Sequence, residues 1–274
     1  MINSCISHDK ENNRIYLMKL KPEEVNDITY KLDDLAKIKG YTKIFAKVPS
    51  FSKDTFLKEN YRIEAKIPKF YKGVEDGLFM AKYLLEERSI ESSEKIIEEI
   101  INKSKQKSKE YKELRIPKGI FYKKGEEKDA EKIANFYKRI FTTYPFPIDD
   151  PSYIVKTMKE NIIYHILWKD EEIVSMSSSE IDEKSLNVEM TDFGTIEEFR
   201  GNSFANYLLD KMEEDIKSKG FKTAYTIARA VSYGMNITFA RSGYIFAGTL
   251  IKNTNIAGSI ESMNVWYKHL DIEI

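Results

Sequence analysis

The residues best suited to chemistry lie in the second half of the chain, where Glu189 and Asp192 precede a stretch of small and polar residues. The extended pattern of 187–193 predicts a strand, and apolar residues at helical spacing after 203 predict a helix. The first N–H groups of a helix have no partner inside it, and small residues let a ligand approach them. The connection, 194–205, therefore predicts a site for an anion, most naturally a pyrophosphate. An ordinary helix cap is the alternative.

This connection resembles the acetyl-CoA loop of the GNAT N-acetyltransferases, usually written Gln/Arg-x-x-Gly-x-Gly/Ala, in the order Arg200-x-x-Ser203-x-Ala205. Ser203 departs from the pattern at its middle glycine, but a serine in helical conformation still offers its N–H. The resemblance implies acetyl-CoA as co-substrate. It implies a set of cofactor-binding residues: Gly194, Thr195, Arg200, Gly201, Asn202, Ser203, Phe204, Ala205 and Asn236, the last of which resembles an asparagine that touches the pantetheine.

The charge balance argues against nucleic acid and membrane partners. Lysine plus arginine and aspartate plus glutamate number 44 each among 274 residues, so the formal net charge is zero and no long-range field attracts a polyanion. No apolar run approaches the roughly 18 residues of a membrane helix. The N-terminus, with His8, Asp9, Lys10 and Glu11, lacks a signal-peptide core. A cytoplasmic location is expected.

Cysteine and histidine are too few and too scattered for a disulfide or metal site. Cys5 is the only cysteine, which excludes disulfide scaffolds, thiolate zinc sites and Cys-x-x-Cys redox chemistry. His8, His165 and His269 stand far apart, and no grouping with acids has the spacing of metal ligands. The sequence therefore predicts no metal.

A similar order of elements occurs twice. The turn that follows a helix at Gly40-Tyr41 recurs at Gly220-Phe221, and strand, helix, strand, connection and strand follow each. We interpret this as a divergent internal duplication; two unrelated α/β units with similar turns are the alternative. The first copy lacks the phosphate loop, because Pro22-Glu23-Glu24 places two acids at its helix start. Packing, dimerisation or covering the substrate site remain open as its role.

Two domains are predicted. Residues 1–115 form a GNAT-like N-terminal domain without a phosphate loop, ending in a charged, solvated helix and linker over 86–112. Residues 116–274 form the catalytic domain, with strand, two helices, three antiparallel strands, phosphate-binding helix, strand, helix and strand. This order is similar to the GNAT fold throughout. It implies the α/β (α+β) class, with a mixed, largely antiparallel central sheet flanked by helices. The oligomeric state is open, a homodimer included.

Acetyl transfer to an amine needs a proton acceptor and an oxyanion site. A lysine-like amine at pH 7 must lose its proton, at a cost of about 4.6 kcal/mol. Glu189 is the first candidate for proton acceptor or ammonium anchor, and Asp192 the second; a structural role is the alternative for either. Their separation places them on opposite faces of a regular strand unless a bulge intervenes. In the resembled family a backbone N–H of this strand, here within 192–195, binds the oxyanion.

A familiar GNAT group is missing. Many of these enzymes have a general-acid tyrosine four residues before the Gly-Tyr or Gly-Phe of the following strand, and Phe239 stands there in this chain. Tyr233 is close in sequence and is a candidate substitute. Because a CoA thiol is a good leaving group, a reaction without a general acid is the alternative.

Motifs along nearly the whole chain resemble the beta-lysine N6-acetyltransferase family. They include residues 46–49 (AKVP), 64–71 (EAKIPKFY), 190–193 (MTDF), 229–236 (RAVSYGMN), 253–258 (NTNIAG) and 261–267 (ESMNVWY). The resemblance implies acetylation of the terminal amine of beta-lysine, which gives the compatible solute N6-acetyl-beta-lysine.

A substrate with one carboxylate and two amines needs a cation and at least one anion in its pocket. Arg229 is the candidate for the carboxylate, although it could pair with a structural acid. Candidates for the amines and for neutral hydrogen bonds are Glu189, Asp192 and Glu261, and Asn253, Asn255 and Asn264. The asparagines could instead serve turns. Two other functions stay open: acetylation of another small diamine or a protein amine, and non-catalytic sensing of acetyl-CoA.

Overall fold

The computed structural model describes residues 2–108 and 114–270. The elements of the first half are β1 (Cys5–Asp9), β2 (Arg14–Lys19), α1 (Ile28–Lys39), β3 (Lys43–Pro49), α2 (Lys53–Lys58), β4 (Arg62–Tyr71), β5 (Glu75–Tyr83) and α3 (Glu94–Lys107). Those of the second half are β6 (Ile120–Lys124), α4 (Ala130–Ile140), α5 (Pro151–Glu160), β7 (Ile162–Lys169), β8 (Glu172–Asp182), β9 (Asn187–Thr195), α6 (Phe204–Ser218), β10 (Thr223–Arg229), α7 (Tyr233–Arg241), β11 (Ile245–Ile256) and β12 (Ser259–His269).

The twelve strands of the described residues lie in one sheet, in the order β1-β2-β3-β5-β4-β11-β12-β10-β9-β8-β7-β6. Neighbouring strands are antiparallel except for the pairs β2–β3 and β9–β10, which are parallel. Helices precede or follow most strands and pack on the sheet. The predicted class, a mixed and largely antiparallel sheet with flanking helices, is confirmed.

The same strand order appears in both halves. β1-β2-β3-β5-β4 corresponds to β8-β9-β10-β12-β11, and the second strand of each series runs parallel to the third. A helix joins the two parallel strands in each half, α1 in the first and α6 in the second. The helices α2 and α7 then lead to the next strand. This recurrence supports the interpretation of an internal duplication.

The halves meet where β4 lies antiparallel to β11, with Ala65 opposite Gly248. Gly248 has a φ of 149°, and a Cβ at this position would stand 2.0 Å from the carbonyl oxygen of Glu64. Only glycine allows the backbones to approach so closely. Beside the joint, buried Lys43 forms an ion pair of 3.0 Å with Glu64. The two halves therefore share one continuous sheet.

Side-chain packing also joins the halves. Tyr16, Phe45 and Phe79 of the first half belong to the same buried cluster as Tyr225 and Leu250 of the second. Helix α3 was expected to be solvated, but Ile97 and Ile100 are buried and the helix packs against α7. Its isoleucines recur at helical spacing and cover a neighbour, which a purely polar helix would not do. Part of the predicted linker, 109–113, lies outside the described residues.

No helix within 2–108 and 114–270 is long and apolar enough to cross a membrane. Over the same ranges, no group of three or more His, Cys, Asp or Glu is placed to hold a metal ion. His165 is buried in β7, where its Nδ1 lies 2.8 Å from the hydroxyl of Tyr122. Burial lowers the pKa of His165 to about 3, so it is a neutral part of the core.

Candidate active site

Strands β9 and β10 separate part-way along their length. Within the described chain, their parallel pairing runs from Asn187 and Thr223 to Glu189 and Tyr225. Beyond this point β9 continues to Thr195 and β10 to 229, with no pairing between them. The main-chain groups of β9 after Glu189 therefore border an opening on this edge. The oxyanion-binding N–H was predicted within 192–195, in this unpaired part of the strand.

A β-bulge interrupts β9 at Asp192. On β8, Ser178 lies opposite Thr191 and Met176 opposite Gly194, so β9 contains one extra residue. Asp192 itself has a φ of 56°. Its carboxylate accepts a hydrogen bond from the Ser178 hydroxyl and so lies on the face of Thr191 and the other strand acid, 189. The two acids share one face because the bulge reverses the alternation of the strand.

The opening leads into a cleft of about 730 Å³ at the N-terminus of α6. Most of the predicted cofactor-binding residues line it, namely Gly194, Thr195, Arg200, Gly201, Ser203, Phe204 and Ala205. Helix α6 begins at 204, so the N–H groups of its first turn, which have no partner within the helix, lie at this cleft. The size suits an extended ligand, and the helix end suits its phosphates.

Ser203 adopts a left-handed conformation, and the expected helical conformation was wrong. It is the N-cap of α6, with φ of 59° and ψ of 25°, and its hydroxyl makes no capping hydrogen bond. The chain turns sharply here, from a short 3-10 turn at Glu197–Phe199 into the helix. This left-handed backbone conformation costs a non-glycine residue about 1 kcal/mol relative to glycine. The cost explains why the family pattern has glycine at this position.

Two of the predicted cofactor-binding residues do not line the cleft. Asn202 donates from Nδ2 to the carbonyl of Phe199, at 3.0 Å. Asn236 is fully buried. Its Nδ2 donates to the main-chain carbonyls of Arg229 and Ser232. Its Oδ1 accepts hydrogen bonds from the side chains of Asn264 and Trp266. The amide of Asn236 thus holds α7 to β10 and β12 and has no free group for a ligand.

A second cavity, of about 540 Å³, adjoins the cleft. The two spaces share five lining residues: Phe141, Phe193, Arg229, Met235 and Ile256. The walls of the cavity come from β2 and β3 as well as from β8, β9 and β10. The N-terminal half therefore forms part of the pocket, a point that the sequence left open.

Glu189 lies in this cavity in a setting that favours partial protonation. Its Oε2 accepts a hydrogen bond of 2.9 Å from the Tyr225 hydroxyl, to which Lys47 Nζ donates at 2.7 Å. Glu180 lies directly opposite on β8. Burial, with a smaller effect of Glu180, raises the pKa of Glu189 to about 7, while Lys47 and Tyr225 act in the opposite direction. A carboxyl group with a pKa near neutrality suits a general base.

Asp192 is more firmly held. Its carboxylate accepts hydrogen bonds from the hydroxyls of Tyr144 and Ser178, and from Thr191 Oγ1 at 3.4 Å. Burial raises its pKa, and these hydroxyls act against that rise. A carboxylate oriented by several donors fits a fixed counterion for an ammonium group better than a mobile proton acceptor.

Arg229, predicted to bind a substrate carboxylate, pairs with Glu261, predicted to bind an amine. Nε and Nη2 of Arg229 donate to the two carboxylate oxygens of Glu261, at 2.8 and 2.6 Å. Such a two-fold contact neutralises both charges. Pairing with an acid, the alternative noted for Arg229, is therefore the observed arrangement.

The three asparagines predicted for substrate binding lie in different places. Asn253 lines the cavity. Asn255 donates from Nδ2 to the Glu11 carbonyl in the β1–β2 hairpin, at 3.0 Å. Asn264 accepts a hydrogen bond of 2.8 Å from Thr249 within the buried network. Of the three, Asn253 is in a position to meet a ligand in the cavity.

Comparison with known proteins decides the family. The model of the acetyltransferase (GNAT) family matches residues 130–244. A protein of Methanococcus maripaludis named beta-lysine N(6)-acetyltransferase is 42% identical over 266 residues, which are 97% of this chain and 96% of the relative. The chain belongs to the GNAT acetyltransferase family. The predicted family and the predicted class of enzyme, an acyltransferase, are confirmed.

Other relatives also extend beyond the segment that the GNAT model matches. The beta-lysine N(6)-acetyltransferase of Methanosarcina mazei is 32% identical over 219 residues, 80% of each chain. The N-acetyltransferase YodP of Bacillus subtilis is 30% identical over 273 residues, 98% of this chain and 97% of its own. The similarity thus includes the N-terminal half that walls the cavity. GNAT acetyltransferases take the acetyl group from acetyl-CoA.

Tyr233, the candidate substitute for the general-acid tyrosine of many GNAT enzymes, lies away from the site. Phe239, at the family position, is buried and lines the cavity. Tyr233 is 38% exposed and lines neither space. Its ring lies 5.3 Å from Nζ of Lys103, on α3. The structure does not bring Tyr233 to the reacting groups.

Three residues that line the GNAT cavity were missed in the sequence, namely Arg14, Lys47 and Glu180, as was Tyr225, which donates to Glu189. Lys47 gave a usable signal, because a charge inside an otherwise apolar strand, KIFAKVP, is unusual unless it has a partner. Arg14 similarly heads the apolar strand RIYLMK. Glu180 and Tyr225 became recognisable only through the pairing of both with Glu189.

Proposed function

We propose that this GNAT enzyme moves the acetyl group of acetyl-CoA to the terminal amine of beta-lysine, giving N6-acetyl-beta-lysine. Two relatives that cover most of the chain are named for this activity. The observation that carries the proposal is the charge of the cavity beside the cofactor cleft.

Several charged side chains lining this cavity pair with acids or bases nearby, such as Lys19 with Asp182 at 3.1 Å. Within the described residues, five have no ion-pair partner of opposite charge: Glu180, Glu189, Asp192, Arg14 and Lys47. When Glu189 is ionised, three carboxylates against two cations leave one surplus negative charge. Beta-lysine, with two ammonium groups and one carboxylate, carries one net positive charge and suits this arrangement. Spermidine has no carboxylate.

The proposed mechanism assigns each step to a group of the chain. The cleft residues at the α6 N-terminus hold the cofactor's phosphates, and bound acetyl-CoA supplies the thioester. Glu189 accepts the proton of the N6 ammonium, directly or through water, so that the amine can attack. Asp192 holds an ammonium group of the substrate. A main-chain N–H within 192–195 donates to the oxyanion. When the C–S bond breaks, CoA leaves as a thiolate and takes up, through water, the proton that the attacking nitrogen still has to lose, so no protein acid is needed.

The proposal also divides the labour of the chain. Residues 116–274 form the catalytic domain. Residues 1–115 form a second GNAT-like domain that binds no cofactor and walls the substrate cavity. A cytoplasmic location and the absence of nucleic acid and membrane partners belong to the same proposal, which leaves the oligomeric state open, a homodimer included.

The test is release of CoA from acetyl-CoA with beta-lysine, alpha-lysine, spermidine and a lysine peptide offered separately. We expect a strong preference for beta-lysine. Mass spectrometry of the product should show one acetyl group, about 42 mass units, at N6. Preference for another amine would keep the reaction and remove the substrate assignment.

A matched variant separates catalysis from sensing. Glu189→Gln keeps the size and hydrogen bonding of the side chain but cannot accept the proton, so we expect turnover to fall about 100-fold or more while acetyl-CoA binding is kept. An unchanged turnover would remove Glu189 as the base. Acetyl-CoA binding without turnover of any amine by the native chain would favour a sensor.

A further inference from the structure

Arg14, at the start of β2, is a buried cation on the wall of the substrate cavity. Its Nη1 donates to the Asn253 carbonyl, and to Thr254 Oγ1 at 3.1 Å. Within the described residues, these neutral acceptors are its hydrogen-bond partners and no carboxylate lies at ion-pair distance. A guanidinium has five N–H donors, so most of those on Arg14 are left for another acceptor. Burying such a group is costly unless an anion completes its shell.

The other cations of the cavity are less suited to a carboxylate. Arg229 is occupied by Glu261. Lys47 donates to the Tyr225 hydroxyl, which donates to Glu189. The positive charge of Lys47 therefore acts on Glu189, whose pKa it lowers. Arg14 is therefore the cation that a ligand would complete.

The position of Arg14 relative to the base fits a short, two-ended ligand. Its guanidinium lies 5.4 Å from the ring of Tyr16, and Lys47 Nζ lies 6.0 Å from the same ring. Lys47 in turn contacts Glu189 through the Tyr225 hydroxyl, so Arg14 and Glu189 are different points of one cavity wall, connected by a series of side-chain contacts. Burial lowers the pKa of Arg14 to about 10, so it stays charged at neutral pH.

We propose that Arg14 binds the carboxylate of the amine substrate, and that the N-terminal half thereby selects amino acids over polyamines. This proposal rests on the proposed function and names the residue that recognises one end of the substrate. The N6 amine lies toward Glu189 and the cofactor cleft, and the carboxylate lies toward β2. Asn253, beside Arg14, lines the same end of the cavity.

The experiment compares kcat/KM for beta-lysine with that for its primary amide, which has the same shape without the negative charge. We expect the native chain to prefer the acid by about 100-fold, the scale of a buried charged pair. In Arg14→Met, kcat/KM for the acid should fall to near that for the amide, with the amide rate changed less than about 3-fold. Arg14→Lys keeps the charge without the planar fork and should retain part of the preference.

Arg88→Met is the matched control. Arg88 is also buried, and it donates to the carbonyls of Lys252 and Asn12 at the junction of the halves, but it does not line the cavity. If Arg14 were merely structural, both variants would lower the rates for acid and amide alike. An altered ratio in Arg14→Met with an unaltered ratio in Arg88→Met supports the proposal.

The outcomes separate the two claims. Activity on beta-lysine without preference over the amide overturns the role of Arg14 and leaves the proposed function standing. A preference that survives in Arg14→Met has the same meaning. Inactivity of the native chain on beta-lysine, with activity on a diamine such as 1,4-diaminopentane, overturns both. If Arg14→Met fails to fold, the partial loss of preference in Arg14→Lys decides the question.

Discussion

Opposite charge changes beside Glu189 should move the pH dependence of the reaction in opposite directions. A general base works when unprotonated, so kcat/KM for the amine should rise as pH passes upward through the pKa of Glu189, about 7 before the amine binds. Lys47 lowers that pKa and Glu180 raises it. Lys47→Met should therefore shift the acidic limb to higher pH, and Glu180→Gln should shift it to lower pH.

The size of the shift expected for Lys47→Met follows from the Tyr225 hydroxyl, which Lys47 and Glu189 share. It is 2.7 Å from Lys47 Nζ and 2.9 Å from Glu189 Oε2. The two charges are therefore at most about 6 Å apart, and at an effective dielectric constant near 20 their attraction is about 3 kcal/mol. This equals roughly two pH units, and screening by water in the open cavity leaves about one. The Glu180 shift should be similar or smaller in size.

The assay measures kcat/KM for beta-lysine from pH 5.5 to 9, about the range in which such a group titrates, with acetyl-CoA saturating. Lys19→Met is the control, because Lys19 also lines the cavity but pairs with Asp182. Its limb should stay within about 0.2 pH units of the native one. Shifts of the same sign in the Lys47 and Glu180 variants, or an unmoved limb in both, would refute the assignment of the limb to Glu189.

Three further substitutions test the backbone and the missing acid. Gly248→Ala forces a Cβ against the Glu64 carbonyl and should lower the free energy of unfolding, measured by denaturant titration, by about 3 kcal/mol or more. Gly258→Ala is the control, because Gly258 has a φ of 86° but open space around it, and should lower this free energy by about 1 kcal/mol. Equal losses would contradict a steric role for the joint. Ser203→Gly should gain about 0.5–1 kcal/mol and leave KM for acetyl-CoA within about two-fold; a ten-fold rise would instead show that the hydroxyl binds the cofactor. Tyr233→Phe should leave kcat and its alkaline limb unchanged, and a large loss would restore Tyr233 as the acid.

The loop before α6 and the strand that leads into it could be predicted because both depend on residues close together in the chain. Arg200 and Ala205 lie within one turn and helix entrance, and the strand that carries Glu189 leads directly into it. Local pattern fixes such features. The order of strands and helices in the second half likewise sufficed for the fold class.

The far side of the substrate cavity could not be predicted, because it depends on contacts across the sheet. Arg14 and Lys47 come close to Glu189 only through the pairing of twelve strands. Arg229 contacts Glu261 because the β10–β12 register places Arg229 opposite Met263, and Glu261 is two residues before Met263 on the same strand. The left-handed backbone of Ser203 and the bulge at Asp192 depend on how a strand ends, which composition does not specify.

The pairing of β4 with β11 joins corresponding strands of the two halves, in the way that two identical subunits would join about a two-fold axis. In a true symmetric dimer every substitution appears in both subunits, so one subunit cannot carry a residue that the other lacks at the same position. A single chain is free of this restriction. One half keeps the loop at α6 that a nucleotide requires, while the other carries acids at the matching place and presents cations to the shared cavity. Covalent fusion thus permits a division of labour that symmetry forbids.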